Sequence, residues 1–414
     1  MEEIELMGNY FQKFLSLSER LKNFNEEKIP LCAAENVLSE FSKNDLCENF
    51  AHLYAMGNLT RDISNDFIGS QYIFELYDIL SELCKNVFGA DYTDARTLSG
   101  MNCDLTVFMS LLKSGDKVLL TTPEQGGHAS VPRLLDALNI KYESIPYDYD
   151  NYQINYSKFN SYLSTGNYDA VIFCQSDLLQ PPDLDKCKFN DTLIIYDATQ
   201  TLGLIAGKTI PNPLNWKNCV LIGGTHKTLP GPTCGLVLCN DENLSKTLDK
   251  KINPDYIRNV QPDKIAQLVL TLIEQYESHF SYIKNIAVCA KKLGGFLEDR
   301  GFNLAKIFRN RYTETHQLFI KCNKAECDTI YQNSLKYNVT LNKKDKLLFG
   351  GYGIRLGVQE IARFNWDDKL LQTLADLLSE LTKENENKTA INLLRKQLIE
   401  NKIPHFTYNE ITIE

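Results

Sequence analysis

TLIIYDATQTLGLIAGKTIPNPLNWKNCVLIGGTHKTLPGPTCGLVLC, residues 192–239, is the stretch that decides the fold. It holds three short apolar runs, at 192–196, 219–223 and 235–239, each bounded by turn residues. Runs of this kind read as strands buried on both faces, as in a mostly parallel sheet covered by helices. Working outward, similar runs stand at 117–121 and 170–175. Helical periodicity precedes them at 71–88, where Ile73, Leu76, Tyr77, Leu80, Leu83 and Val87 recur at three- and four-residue steps before Gly89. A second periodic stretch, 101–113, opens after Ser99-Gly100. Residues 241–300 read as helix, with one long periodic stretch from Lys264 to Asp299, and 285–414 mixes helices with short strands. The polar run Lys383–Lys388 is a loop before a last amphipathic helix. The division expected is an N-terminal arm at 1–45, a large domain at 46–284 and a small α+β domain at 285–414.

Composition narrows the function. The chain has 414 residues, enough for two or more domains, and a formal charge of −9, which argues against nucleic-acid and anionic-membrane surfaces. The acidic N-terminus has no basic region followed by an apolar run, and no stretch approaches the length of a membrane helix. Twelve cysteines are scattered without a CxxC pair, so we read reduced core thiols and expect a cytoplasmic protein. The six histidines form no ligand pair at metal spacing, and no metal is expected.

Reactive groups in such a sheet gather at strand C-terminal ends. Asp197 directly follows one apolar strand, and a carboxylate there is costly to bury unless it is paired. It reads either as the cap of the next helix or as the partner of a protonated pyridine nitrogen. Thr225-His226-Lys227-Thr228 follows the next strand, and a lysine there is either solvated or an imine-former with a carbonyl cofactor. Gly231 and Gly235 would let the chain turn closely beneath a ring. Ser99-Gly100-Met101 opens a helix, whose free N–H groups and dipole suit a phosphate. His128 sits in a glycine-flanked loop, where it could stack on a ring. Together these residues point to pyridoxal 5'-phosphate (PLP).

The same residues resemble the serine hydroxymethyltransferase family, within the fold type I (aspartate-aminotransferase-like) PLP enzymes. The resemblance runs from about residue 30 to 380. It is carried by FGADYTDARTLSGMNCDLTVFMSLLKSGDKVLL, the GGH of Gly126–His128, YDATQTLGLIAGKTIPNPL, GGTHKTLPGPTCGLVLC and FGGYGIRLG. It implies a mostly parallel central sheet in a large domain plus a smaller C-terminal domain. It assigns Lys227 to the imine, Asp197 to the ring nitrogen, and Ser99, Gly100 and Met101 to the phosphate. His128 would stack on the ring, Ser176 and Thr225 would sit beside it, and His226 would flank the lysine. Arg355 would grip the substrate α-carboxylate, with Glu35 also on the substrate side. Tyr54 matches a tyrosine supplied by the neighbouring subunit, so a homodimer with shared sites is implied.

The departures are equally informative. The family's Tyr-x-Glu-Gly reads Tyr54-Ala55-Met56-Gly57, so the proton-transferring glutamate is Met56. Its Tyr-Tyr-Gly-Gly folate wall is Phe67-Ile68-Gly69-Ser70, the leucines beside the folate ring are Pro123 and Ala129, and the loop at 342–349 is short. Asp-x-x-His becomes Asp197-Ala198-Thr199-Gln200; Gln200 keeps hydrogen-bonding ability toward the cofactor's phenolic oxygen but carries no charge. Ser-Glu-Asn is Ala34-Glu35-Asn36, and the arginine of Gly-Pro-Arg-Gly-Gly is Thr233. The glycine-rich phosphate turn is Asn253–Arg258, which makes Arg258 a candidate phosphate ligand across subunits.

The resemblance thus keeps the PLP machinery and loses the tetrahydrofolate machinery. The expected activity is a folate-independent aldolase or transaldolase, in specialised amino-acid metabolism, joining a glycine-, serine- or threonine-like amino acid to an aldehyde. The rivals are a folate-dependent enzyme in which Glu48 or Glu124 replaces the missing acid, other Cα chemistry (racemase, decarboxylase, transaminase), and a non-catalytic paralogue.

Overall fold

The computed structural model describes residues 2–61 and 67–408, with side chains from residue 8. Residue 1 and residues 409–414, the ends of the expected arm and small domain, lie outside the described residues, as do 62–66.

Seven strands form the central sheet: β1 (Tyr92–Asp94), β2 (Lys117–Leu120), β3 (Lys141–Ser144), β4 (Ala170–Cys174), β5 (Leu193–Asp197), β6 (Cys219–Gly224) and β7 (Gly235–Cys239). Their order is β1-β7-β6-β5-β4-β2-β3, and only β7 runs antiparallel to its neighbours. Every residue of β4, β6 and β7 is buried, as continuous apolar runs require when helices cover both faces. This is the α/β sheet expected from 192–239. β1 and β3, too short or too polar to read, complete its edges.

The helix Ser70–Phe88 buries Ile73, Leu76, Tyr77, Leu80 and Val87 and is closed by Gly89 at φ 67°, a conformation that costs glycine nothing. The expected single helix from Lys264 to Asp299 is two, Pro262–Glu277 and Ser281–Glu298, because His279 and Phe280 take left-handed φ values of 52° and 55°. Both helices bury aliphatic faces against the same core, Ile265, Leu268 and Leu272 then Ile283, Ile286 and Leu293, so the periodicity hides the break.

A three-stranded antiparallel sheet sits toward the C-terminus: β8 (Gln317–Cys322), β9 (Asn342–Lys346) and β10 (Gly351–Gly357), with β10 central. In the FGGYGIRLG segment the strand starts only at Gly351, since Leu347–Phe349 make a turn closed by Gly350 at φ 72°. The polar β9 is invisible to hydrophobic patterning. Ile29–Pro30 pairs in parallel with Val339–Thr340, and Leu31 accepts from the Gly357 N–H, so the base of the N-terminal segment is stitched to this sheet. The helix before it, Glu2–Glu27, leaves Tyr10, Phe14, Leu17 and Leu21 exposed. The loop expected at Lys383–Lys388 runs over 382–387, and Lys388 already opens the last helix. All twelve cysteines are free thiols, and no helix among the described residues is long and apolar enough to cross a membrane.

Candidate active site

The C-terminal ends of β4, β5 and β6 meet the start of the helix Gly100–Leu111 around a cavity of about 190 Å³. Its lining includes Ser99, Gly100, Met101, His128, Ser176, Asp197, Gln200, His226 and Lys227, nine of the residues singled out from sequence. Asp104, Gln175 and Thr199 line it too and were not anticipated.

Ser99 caps the helix, its hydroxyl accepting from the Asn102 N–H at 3.3 Å, and the first N–H groups of the helix have no intrahelical acceptor. The cap is held tightly against the sheet: a Cβ on Gly100 would lie 2.5 Å from Thr199 Oγ1 and 3.0 Å from the Gly224 nitrogen. Thr199 binds both sides of this junction. Its N–H donates to Asp197 Oδ1 at 2.7 Å, and its hydroxyl accepts from the Gly224 N–H at 2.9 Å. A polar residue two positions after the strand-end aspartate was the signal for it in the sequence.

Asp197 Oδ2 accepts from the Cys174 thiol at 3.0 Å, a weak donor that leaves room for a stronger one. Asp104 lies beside them, with ligand-type atoms of Asp104, Cys174 and Asp197 within 4.8 Å of one another. Its Oδ1 is buried without a hydrogen-bond partner. Burial, and then the Asp197 charge, push its carboxyl well above the usual range, which favours the protonated form.

Burial holds the Lys227 amine below the ordinary lysine range; Asp197 opposes that shift and Arg355 adds to it. Asn36 Nδ2 donates to the Lys227 carbonyl, fixing the backbone at this point. The Gln200 amide fits two orientations a half-turn apart. In one its oxygen accepts from Gln317 Nε2 at 3.1 Å; in the other it accepts from Lys227 Nζ at 2.8 Å while its NH2 reaches Ala33 O and His316 Nε2. The second leaves the amine with an acceptor. His226 Nδ1 is buried without a partner, and burial followed by Lys227 lowers this imidazole to about 4. His128 is fixed through its N–H to the Cys174 carbonyl, and burial likewise lowers its pKa.

Other expected residues lie outside the cavity lining. The Thr225 hydroxyl is spent on the Pro232 and Cys234 carbonyls, so it ties down the loop after Lys227 rather than facing the cavity. Gly235 begins a strand rather than a turn; it is needed because a Cβ there would strike Thr97 Oγ1 and Cys103 Sγ. Gly231 does close a turn, donating to Thr225 O at 2.8 Å. Glu35 is exposed, 3.7 Å from Lys28. Tyr54 packs edge-on against Phe67, and exposed Arg258 rests on Met56 Sδ at 2.9 Å. Glu48 and Glu124 are exposed as well. Arg355 is buried one residue layer behind the lining. It donates to Ser176 O at 2.8 Å, Asp177 Oδ1 at 2.7 Å and Asn342 Oδ1 at 2.7 Å.

The residues present fit PLP. A serine-capped helix start suits a phosphate dianion, Asp197 with a weakly engaged oxygen suits a pyridinium, and a buried amine with lowered pKa suits an aldehyde. Fold and site together therefore define a PLP-dependent enzyme of fold type I.

The comparisons narrow the class. The family model for serine hydroxymethyltransferase matches residues 11–378, and the chain belongs to that family. A serine hydroxymethyltransferase from Picrophilus torridus is 29% identical over 390 residues, covering 91% of this chain and 88% of its own. One from Methanobrevibacter smithii is also 29% identical, covering 92% of this chain and 93% of its own. The crystal structure of an L-threonine transaldolase from Pseudomonas fluorescens superposes with a TM-score of 0.86 at 20% identity, over 98% of this chain and 94% of that one; at this identity it supports the fold.

Proposed function

We propose that the chain is a folate-independent aldolase or transaldolase acting on a glycine-, serine- or threonine-like amino acid and an aldehyde. The observation that carries the reading is Met56, a thioether with the Arg258 guanidinium against it where the family has a proton-transferring glutamate. A thioether moves no proton, and the guanidinium against it stays protonated and cannot serve as the missing acid–base group.

When bound, PLP takes up the electron pair left at Cα as a bond to Cα breaks. The chain's own residues would do the rest. Lys227 would hold the cofactor's aldehyde, and its buried amine, held below the ordinary lysine range, suits it to take a proton within the cavity. Asp197 would hold a proton at the ring nitrogen, with Asp104 beside it. Ser99, Gly100 and Met101 hold the phosphate, and His128 covers the ring. Ser176, Gln200 and His226 border the cofactor, with Thr225 supporting their loop. Arg355 orients the α-carboxylate, with Glu35 near the substrate entrance. Tyr54 and Arg258 serve the site of a partner subunit. The exposed residues Tyr10, Phe14, Leu17, Leu21 and Phe24 recur at four- and three-residue steps on one helix and support a homodimer. We place the enzyme in the cytoplasm, in specialised metabolism.

A folate-dependent serine hydroxymethyltransferase is the second reading, favoured by the 29% identity to enzymes of that name. One experiment separates them. The purified enzyme is incubated with threonine or serine, with and without tetrahydrofolate, and released aldehyde and glycine are measured. Aldehyde release without folate, lost in Lys227→Ala, supports the proposal. Serine-to-glycine conversion that strictly needs tetrahydrofolate overturns it.

A further inference from the structure

Asp177 is fully buried and directly follows Ser176 of the cavity lining. Three cations converge on its carboxylate: Arg355 at 2.7 Å, Lys344 at 2.7 Å and Lys346 at 2.8 Å. The lysines come from alternate positions of β9 and so share one face of that strand. Their side chains keep only 16% and 24% of their exposure.

The charges do not balance. Arg355 alone would match Asp177, yet three positive charges face one negative, leaving a surplus of two. Uncompensated charge at such burial is costly, and selection removes it unless something neutralises it. The α-carboxylate of an amino acid supplies one charge, and a surplus of one remains. Burial, then the Arg355 charge, lowers the Lys344 amine to about 8, although its pairing with Asp177 opposes the shift. The cluster abuts the cavity through Arg355, which donates to the Ser176 carbonyl of the lining at 2.8 Å. Arg355 acts on Lys227, and Lys346 acts on His128, each lowering its neighbour's pKa.

We propose that the substrate pair carries a second anionic group, a carboxylate or phosphate, beyond the α-carboxylate, and that Lys344 and Lys346 bind it. The inference rests on the aldolase reading for its division into amino acid and aldehyde. The second anion then belongs either to the amino acid's side chain or to the aldehyde.

The test uses the PLP-loaded enzyme, whose own phosphate site is filled. Affinities are measured by calorimetry and by the shift in cofactor absorbance, neither of which needs turnover. One arm compares threonine with O-phosphoserine and β-hydroxyaspartate. The other adds acetaldehyde, glyoxylate or glycolaldehyde phosphate to the glycine-saturated enzyme. The expected result is a preference of roughly tenfold or more for the anionic member of one arm, as for a hydrogen bond to a charged group. Lys344→Gln and Lys346→Gln should each cut that preference by a similar factor, and the double variant Lys344→Arg/Lys346→Arg should retain most of it. Thermal melts of all variants check folding, and the arginine pair carries the test if a glutamine variant does not fold. Equal affinity for anionic and neutral members in both arms overturns the inference, as does a preference that survives both glutamine substitutions. Absence of aldol chemistry with every pair would sink the functional reading while leaving these binding ratios intact.

Discussion

The Arg355 guanidinium donates to Asp177 Oδ1 at 2.7 Å, in a position where the family resemblance assigns this arginine to the substrate. The arginine is thus pre-oriented by a buried carboxylate, which in turn is shared with two lysines. Fixing a guanidinium in this way reduces the ordering cost of binding a carboxylate.

Removing that carboxylate should be expensive. Asp177→Asn leaves buried Arg355 and two half-buried lysines facing one another, and breaking a buried pair from one side typically costs about 3–5 kcal/mol. The Arg355 and lysine charges outweigh burial and hold the Asp177 carboxyl down at about 2. Its stabilising contribution is therefore present above the unfolded value of 3.8 and is lost as pH falls toward 2. Urea unfolding at pH 7 should show the full deficit of the variant, and the gap should narrow below pH 4. An unchanged midpoint at pH 7 would contradict the charge arrangement.

Asp104 carries the opposite sign. Its folded-state pKa is raised, so the stability it contributes is complete below the unfolded carboxyl range and declines as pH rises. Asp104→Asn keeps the shape and removes the titration. The variant, prepared without cofactor, should gain melting temperature relative to wild type on going from pH 4 to pH 8. A constant difference across that range would show that Asp104 is ionised in the folded protein.

Gly100 tests the junction beneath the helix start. In Gly100→Ala the new methyl would enter within 2.5 Å of Thr199 Oγ1, forcing that hydroxyl off the Gly224 N–H. Overpacking of this kind costs about 1–3 kcal/mol. The larger effect should fall on cofactor retention, read as PLP released on dialysis, because the same junction aligns Ser99 with Asp197. Unimpaired retention would separate the helix start from the phosphate.

The N-terminal helix offers a fourth check. Phe14 and Leu21 are 65% and 56% exposed in the single chain. If the proposed dimer forms through this helix, Phe14→Glu with Leu21→Glu should convert it to monomer in light scattering and weaken PLP binding, since the proposal has Tyr54 and Arg258 serve the partner's site. A dimer that persists would place the interface elsewhere.

Much of the site was legible because its residues cluster at strand ends that hydrophobic runs reveal. Asp197 and Lys227 each follow an apolar strand, and parallel pairing of β5 with β6 puts those ends side by side. Ser99 and Gly100 were readable as a cap before a periodic helix. Gln317, Lys344 and Lys346 were not readable, because they pack behind the lining from segments far apart in sequence and a polar strand such as Asn342–Lys346 carries no hydrophobic alternation; Asp177, beside Ser176, gave no sign of its partners because all three come from 344–355. The break at His279 and Phe280 was hidden for a related reason: both flanking helices bury the same kind of face.

Sequence by itself therefore determined the sheet, the cofactor and the family, since each depends on local pattern or on residues fixed relative to a strand end. Only the tertiary structure decided that Arg355 is already paired, that Asp104 shares the floor of the site with Asp197, and that two lysines overcompensate Asp177. Those are relations between charges brought together by folding, and Coulomb energies depend on distance and burial in space rather than on separation along the chain.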